Sequence, residues 1–360
     1  MPPEDDFRRD RDQRTQRSAI VAGAILVMCL AALLTGVLVR RSQPTSTSAL
    51  PAATATPHVS AAPPSLTPSP TPAIAVLGSG FSSVYDARIH RLVAIGGVDS
   101  YDTTWMLDGH RWTLVQPSPS PPGRFQAAAA FDPLTGVVML YGGRLGPGEI
   151  VNDTWAWDGR SWRELDAGTG NPPGGEGSRM AWDDVHKLMV LVNGAAGSSG
   201  STWTWDGSHW VRQASGDLPS GDFPIGLVSD PVTHMLLAAV CCADPNGATT
   251  TLAWNGSAWR TLSTRTVPTF TVAVVRDPGS ARLLMFADPS TSTGADAWSW
   301  TGQDWAPLTG TRPPVFPAGA VTDVDTGHVV IVGAVVEPVQ GNPQPVQVWS
   351  LTGSTWTRLG

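Results

Sequence analysis

The sequence predicts an all-β protein: a six-bladed β-propeller with four antiparallel strands per blade, preceded by one transmembrane helix and a disordered Pro/Ser/Thr stalk. Three observations predict it. The 360 residues include 38 Gly, 32 Pro and 16 Trp, a composition that weakens long helices and favours turns between half-buried strands. Residues 20–39 carry no charge at all. From residue 74 onward one pattern recurs six times, its closing Trp residues (112, 162, 210, 259, 305 and 356) standing 50, 48, 49, 46 and 51 apart.

The N-terminal elements come first. Residues 1–17 are polar and hold five Arg. The 20 uncharged residues from Ile20 to Val39 make about 30 Å of helix, one hydrocarbon core. Arg40 and Arg41 follow, and the excess of Arg before the span places residue 1 in the cytoplasm. Residues 18–41 read as an anchor; the runner-up is a cleaved signal peptide, whose apolar region is shorter, about 7–15 residues, but for which small-residue sites stand near Ala49 and Ala52. The 32 residues 42–73 contain 8 Pro, 7 Ala, 6 Ser and 6 Thr. Such a tract has too little apolar surface to collapse and reaches outward as extended chain, about 3.1 Å per residue. The expected organisation is therefore a cytoplasmic tail (1–17), an anchor (18–41), a linker (42–73) and an extracytoplasmic propeller (74–360). A single Lys against 22 Arg hints at a GC-rich genome and a bacterial cell surface.

Charge and cysteine usage exclude other classes. The formal charge is −7, and all of the excess acid lies beyond the anchor, so phosphate backbones are repelled and nucleic acid is not an expected partner. Cys29, Cys241 and Cys242 cannot build a disulfide framework. Adjacent strand residues point to opposite faces, so Cys241 and Cys242 read as two small unbridged residues.

Each repeat carries four strand signals. Strand A is a small-residue run such as Gln126–Phe131, closed by Asp132-Pro-Leu-Thr-Gly136, and that Asp recurs at 86, 132, 183, 230, 277 and 323. Strand B is the apolar run that follows, such as Val137–Tyr141 or Leu188–Val192. After a variable loop, strand C presents paired aromatics, as in Thr154-Trp-Ala-Trp157 and Thr202-Trp-Thr-Trp205. An Asp-Gly or Asn-Gly turn, a strong hairpin signal, leads to strand D. Four strands in about 48 residues make one propeller blade, and six complete units close a ring without assembling a blade from the two chain ends.

At this point residues 74–360 resemble the kelch repeat of galactose oxidase-like propellers. Gly96-Gly97 and Gly142-Gly143 end strand B as that pattern requires, with an aromatic in strand C and a Trp in strand D. The doublet decays to Asn193-Gly194, Val240-Cys241, Ala287-Asp288 and Gly333-Ala334. The resemblance implies the fold and no particular activity. Copper chemistry of the oxidase kind needs a Tyr/His/Cys cluster, which Tyr85, Tyr101, Tyr141 and the two propeller Cys do not supply.

Function is expected on one face. A–B and C–D turns are short and uniform, whereas the B–C and D–A loops (144–153, 166–178, 193–202 and their equivalents) differ in length and charge. Loops on a rigid scaffold carry binding, so the mouth of the central channel on the loop-rich side is the expected site. His90, His186, His234 and His328 fall at A–B turns and His110 and His209 at C–D turns, away from that mouth, so no metal, cofactor or catalytic residue is assigned. The mouth loops hold acids, among them Asp102, Asp153, Asp217 and Asp222. Arg124 and Arg179, with Asp222, are the candidate ligand-binding residues, because an Arg at the innermost strand can grip a carboxylate; the competing reading of each Arg is a structural ion pair. The fifteen Trp of the C–D cassettes, and Trp182 in register with Tyr85 and Phe131, read as core. The expectation is a membrane-anchored, non-catalytic module binding a protein, peptide or glycan. Its alternatives are a glycan-active enzyme using mouth carboxylates and a sensor ectodomain working through a partner.

Overall fold

The computed structural model describes residues 80–98, 101–108, 111–146, 148–166, 170, 172–175, 177–193, 200–214, 217–218, 223–241, 248–266, 268, 271–287, 297–308, 315–334 and 347–359. The expected anchor, the stalk and a closing strand at 74–77 lie outside them. The described residues contain no helix.

They form a six-bladed propeller. Each blade is a sheet of four consecutive strands in the order A-B-C-D. The blades span 82–115, 128–166, 179–213, 223–261, 271–308 and 316–358. The innermost strands are Ser82–Asp86, Ala128–Asp132, Arg179–Asp183, Phe223–Ser229, Thr271–Asp277 and Phe316–Asp323. Each innermost strand touches its two neighbours, and that of blade 1 touches those of blades 2 and 6, so the ring closes between complete blades. In blade 2 the two middle strands run to Leu145 and resume at Glu149. Residues 144–153, expected as a loop, are instead mostly strand, paired as Arg144 with Ile150 and Leu145 with Glu149 beyond a register shift between Tyr141 and Gly143.

The apolar residues form six clusters, one per blade interface, instead of a single central core. Strand side chains alternate between the two faces of a sheet, so each blade feeds the cluster on either side of it. Eleven Trp are buried. The other five (Trp182, Trp203, Trp259, Trp349 and Trp356) pack on the same clusters. Every Trp thus serves an interface, as the repetition of its position requires.

The repeated Asp residues are turn makers. In blade 2, Asp132 Oδ1 accepts from the Leu134 N–H at 2.9 Å, and Oδ2 accepts from the Thr135 hydroxyl at 2.6 Å. The equivalent Asp86, Asp183, Asp230, Asp277 and Asp323 accept from the turn N–H groups two residues on. This side-chain mimicry of a backbone turn is why Asp recurs there. Asp158, Asp206 and Asn255 do the same in C–D turns.

A second repeated bond joins the blades. The strand-D indole N–H donates to a strand-C threonine of the preceding blade: Trp162 to Thr104 at 3.2 Å, Trp210 to Thr154 at 2.9 Å, Trp259 to Thr202 at 2.8 Å and Trp305 to Thr251 at 2.8 Å. The remaining two interfaces lack the acceptor. Ala297 stands opposite Trp356, whose indole N–H is buried without a partner, and Val348 stands opposite Trp112. Blade 6 therefore lies between two interfaces without this latch. Its contact with blade 1 is tied on the turn face, where Tyr85 donates to Asp325 and His90 Nδ1 lies 2.8 Å from the same carboxylate.

Candidate functional site

Strand direction sorts the connections onto two faces, as the repeat predicts. On the A–B/C–D face His186 helps to lock its turn: its Nδ1 is 2.7 Å from Asp183, and the ring also packs against Gly256 of the next blade. The other face is built by the D–A segments as they pass from blade to blade. The segment entering blade 2 crosses strand ends of blade 1: the Arg124 N–H donates to Tyr101 at 2.6 Å and its carbonyl accepts from Gly97 at 3.1 Å. The segment entering blade 3 repeats the crossing, with the Gly175 N–H donating to Val151 at 3.2 Å. The Gly doublets exist for this crossing. Gly96 has a φ of 66°, and a Cβ there would run into the Arg124 carbonyl; a Cβ on Gly143 would lie 2.8 Å from the Phe125 oxygen. Asn152 and Tyr141 both donate to Pro172 of the second crossing segment.

Arg124 is part of that crossing. It is 1% exposed, and its guanidinium forms a bidentate pair with Asp153 at 2.6 and 2.8 Å. It also donates to the carbonyls of Gly142 at 2.9 Å and Pro122 at 3.0 Å. Asp153 in turn accepts from the Trp155 indole at 2.6 Å. Of the two roles open to Arg124, the geometry is that of the structural ion pair, with four of five N–H donors committed inside blade 2. Aligning blades 2 and 3 carried a readable signal: where Gly175 replaces Arg124, Ser201 replaces Asp153 and takes over the indole bond, accepting from Trp203 at 3.0 Å.

Arg179 is placed differently. It opens the innermost strand of blade 3 at its mouth end and remains partly exposed. Its Nε donates across the interface to Ile225 of blade 4 at 2.8 Å. Its Nη1 donates to Gly177 and Ser178, both at 3.1 Å. All three acceptors are backbone carbonyls. Desolvation holds its pKa below the usual guanidinium value. Asp222, the third candidate, lies outside the described residues.

Two of the expected mouth acids are already engaged, Asp153 by Arg124 and Asp217 by Arg212 at 3.0 Å. Asp102 is exposed at the edge of a small crevice that it lines together with Tyr101, Thr103, Pro121 and Arg124. The three tyrosines are dispersed. Tyr85 sits at the turn face, its hydroxyl pushed up by burial and by Asp325. Tyr141 is buried in the blade 2/3 core and is pushed up by desolvation. Tyr101 packs on Phe125 with ring centroids 5.7 Å apart. Among the described residues no group of His, Cys, Asp and Glu is arranged to hold a metal ion. Cys241 corrects the thiol expectation: it is disulfide-bonded, with its partner outside the described residues.

No family model and no curated protein sequence matches the chain, so the kelch resemblance stands on its own residues. Solved structures do match in fold. YjhT superposes with a TM-score of 0.55 at 14% identity, over 82% of this chain and 99% of its own. AofleA from Arthrobotrys oligospora gives 0.52 at 14% identity, over 78% and 85%. The SapL1 lectin, solved in complex with alpha methyl fucoside, gives 0.51 at 13% identity, over 78% and 95%. At such identity the likeness establishes the propeller and nothing of its ligand.

Proposed function

We propose that this chain is a non-catalytic binding module that engages a glycan or protein ligand at the loop-rich face of its propeller. In the same reading, residues 18–41 anchor it in the plasma membrane in a single pass, and the stalk holds the ring outside a bacterial cell. The carrying observation is a division of labour between the faces. On the turn face the repeated Asp residues are consumed by the turns they close. On the loop-rich face Arg179 brings a cation to the mouth whose partners among the described residues are all backbone carbonyls. SapL1, a lectin of this fold bound to a fucoside, supports a glycan as the ligand class. The glycan-active enzyme has less support, since Asp153 and Asp217 are held by arginines.

The test is a screen of the full chain against neutral and acidic oligosaccharides and secreted proteins, scoring binding and turnover separately. Binding without turnover is the expected result. Turnover abolished by one mouth Asp or Glu substitution overturns the non-catalytic reading. Topology is tested by protease added to intact cells, which should remove the propeller; protection until lysis overturns the extracytoplasmic placement.

A further inference from the structure

We infer that Arg179 is the anion subsite of this mouth, a point between blades 3 and 4 where the carboxylate of an acidic sugar is held. The inference rests on the binding-module reading and adds to it the charge and position of the ligand. Arg124 and Arg179 are the two candidate cations, but among the described residues only Arg124 has an acid. Arg124 spends its charge on Asp153 within its own blade. Arg179 has no carboxylate partner among the described residues, and its Nη2 makes no hydrogen bond to them. A partly buried cation whose partners among the described residues are all uncharged carbonyls is incompletely compensated on its own. It gains more from an incoming carboxylate than a solvated surface Arg does.

The immediate surroundings select the anion. The carbonyls of Gly177, Ser178 and Ile225 fix the guanidinium through Nε and Nη1, so it is oriented before any ligand arrives. The same three carbonyl dipoles turn their negative ends toward it and offset part of its charge. That environment suits a single carboxylate better than a phosphate dianion. It also places the subsite at a blade interface, since Nε bonds blade 4 while the side chain belongs to blade 3.

The test uses the full chain and matched probes: D-glucuronate against D-glucose, which differ at one carboxylate, and inorganic phosphate, at equal ionic strength. Ligand that binds only the native state raises the thermal midpoint. Glucuronate should raise it more than glucose or phosphate does. Arg179→Lys should weaken glucuronate binding and Arg179→Ala should abolish the difference, with affinity falling about tenfold to a hundredfold. A purely structural Arg179 would lower the midpoint of the variants without touching the glucuronate–glucose difference, and that result overturns the subsite. If Arg179→Ala fails to fold, wild-type protein decides alone: equal shifts by glucuronate and glucose also overturn it. A neutral glycan bound equally by wild type and Arg179→Lys removes the acidic sugar but leaves the binding module standing. An acidic peptide that binds through Arg179 while glucuronate does not replaces the sugar and overturns this assignment.

Discussion

Thr154→Val removes one latch between blades and changes little else. Thr154 is 0% exposed and Trp210 is 5% exposed. Their bond, at 2.9 Å, is the described partner of the Trp210 indole N–H. Valine keeps the branched shape but offers no acceptor, so a buried N–H is left unmade, at about 1–3 kcal/mol. The reverse experiment is available in the same molecule. The Trp356 indole is already buried without a partner, and Ala297 occupies the position of the missing threonine. Ala297→Thr supplies the hydroxyl and should gain about 0.5–1.5 kcal/mol, less the strain of fitting two more heavy atoms at a site that is 0% exposed. Ala297→Val adds the same bulk without the acceptor and is the control. Urea unfolding of the full chain, followed by tryptophan fluorescence, gives the free energies. Thermal scans should move by roughly 2–4 °C per kcal/mol for a domain of this order of size. The reasoning is refuted if Thr154→Val costs less than about 0.3 kcal/mol, or if Ala297→Thr and Ala297→Val are indistinguishable; either result leaves the Thr-Trp cassette as packing alone, within the scatter of surface substitutions.

Three further outcomes follow from the geometry. Gly96→Ala places a methyl group against the Arg124 carbonyl at a φ of 66° and should cost more than about 2 kcal/mol or prevent folding, read by circular dichroism and urea midpoint. Arg124→Met strands a mostly buried Asp153 and should cost up to about 3–5 kcal/mol, while Arg124→Met with Asp153→Leu should recover much of it, a double-mutant comparison that a surface pair would fail. Acid should destabilise the ring: turn N–H groups hold the Asp158 and Asp206 carboxyls, and Tyr85 holds that of Asp325, below the usual range. Their stabilisation is present above the unfolded carboxylate value of about 4 and is lost as pH falls through the folded values. Asp86, pushed up by burial, has the opposite sign. Asp206→Asn keeps the acceptor oxygen, as Asn255 does naturally, and should flatten its share of the acid limb without disturbing the turn.

The blade count, the strand order and the turn Asp residues were legible because each depends on chemistry within a few residues of chain. An Asp accepting from N–H groups two residues on declares itself wherever the turn recurs, and six recurrences fix six blades. The latches depend on partners 54 to 58 residues away, one repeat plus a hairpin. That separation is nearly constant, so the Thr of each Thr-Trp cassette and the Trp of the next were readable as a pair once strands C of neighbouring blades were placed side by side. The fate of Arg124 was readable only in part: its pairing with Asp153 shows where blade 3 replaces both residues together, but its burial does not. Arg124 is buried because the D–A segment crosses the Gly doublet, a path set by the backbone hydrogen bonds of Tyr101 and Gly97 and invisible in any periodicity. The longer middle strands of blade 2 escaped for a related reason: a register shift between Tyr141 and Gly143 lets pairing continue past the doublet that ordinarily ends strand B. The same glycines that mark the repeat thus permit two departures from it, and both fall on the face where the blades differ. A ring needs regularity only at its interfaces and turns. Irregularity tolerated at the mouth is what allows one blade to carry an Arg paired with an acid and the next an Arg held by backbone carbonyls.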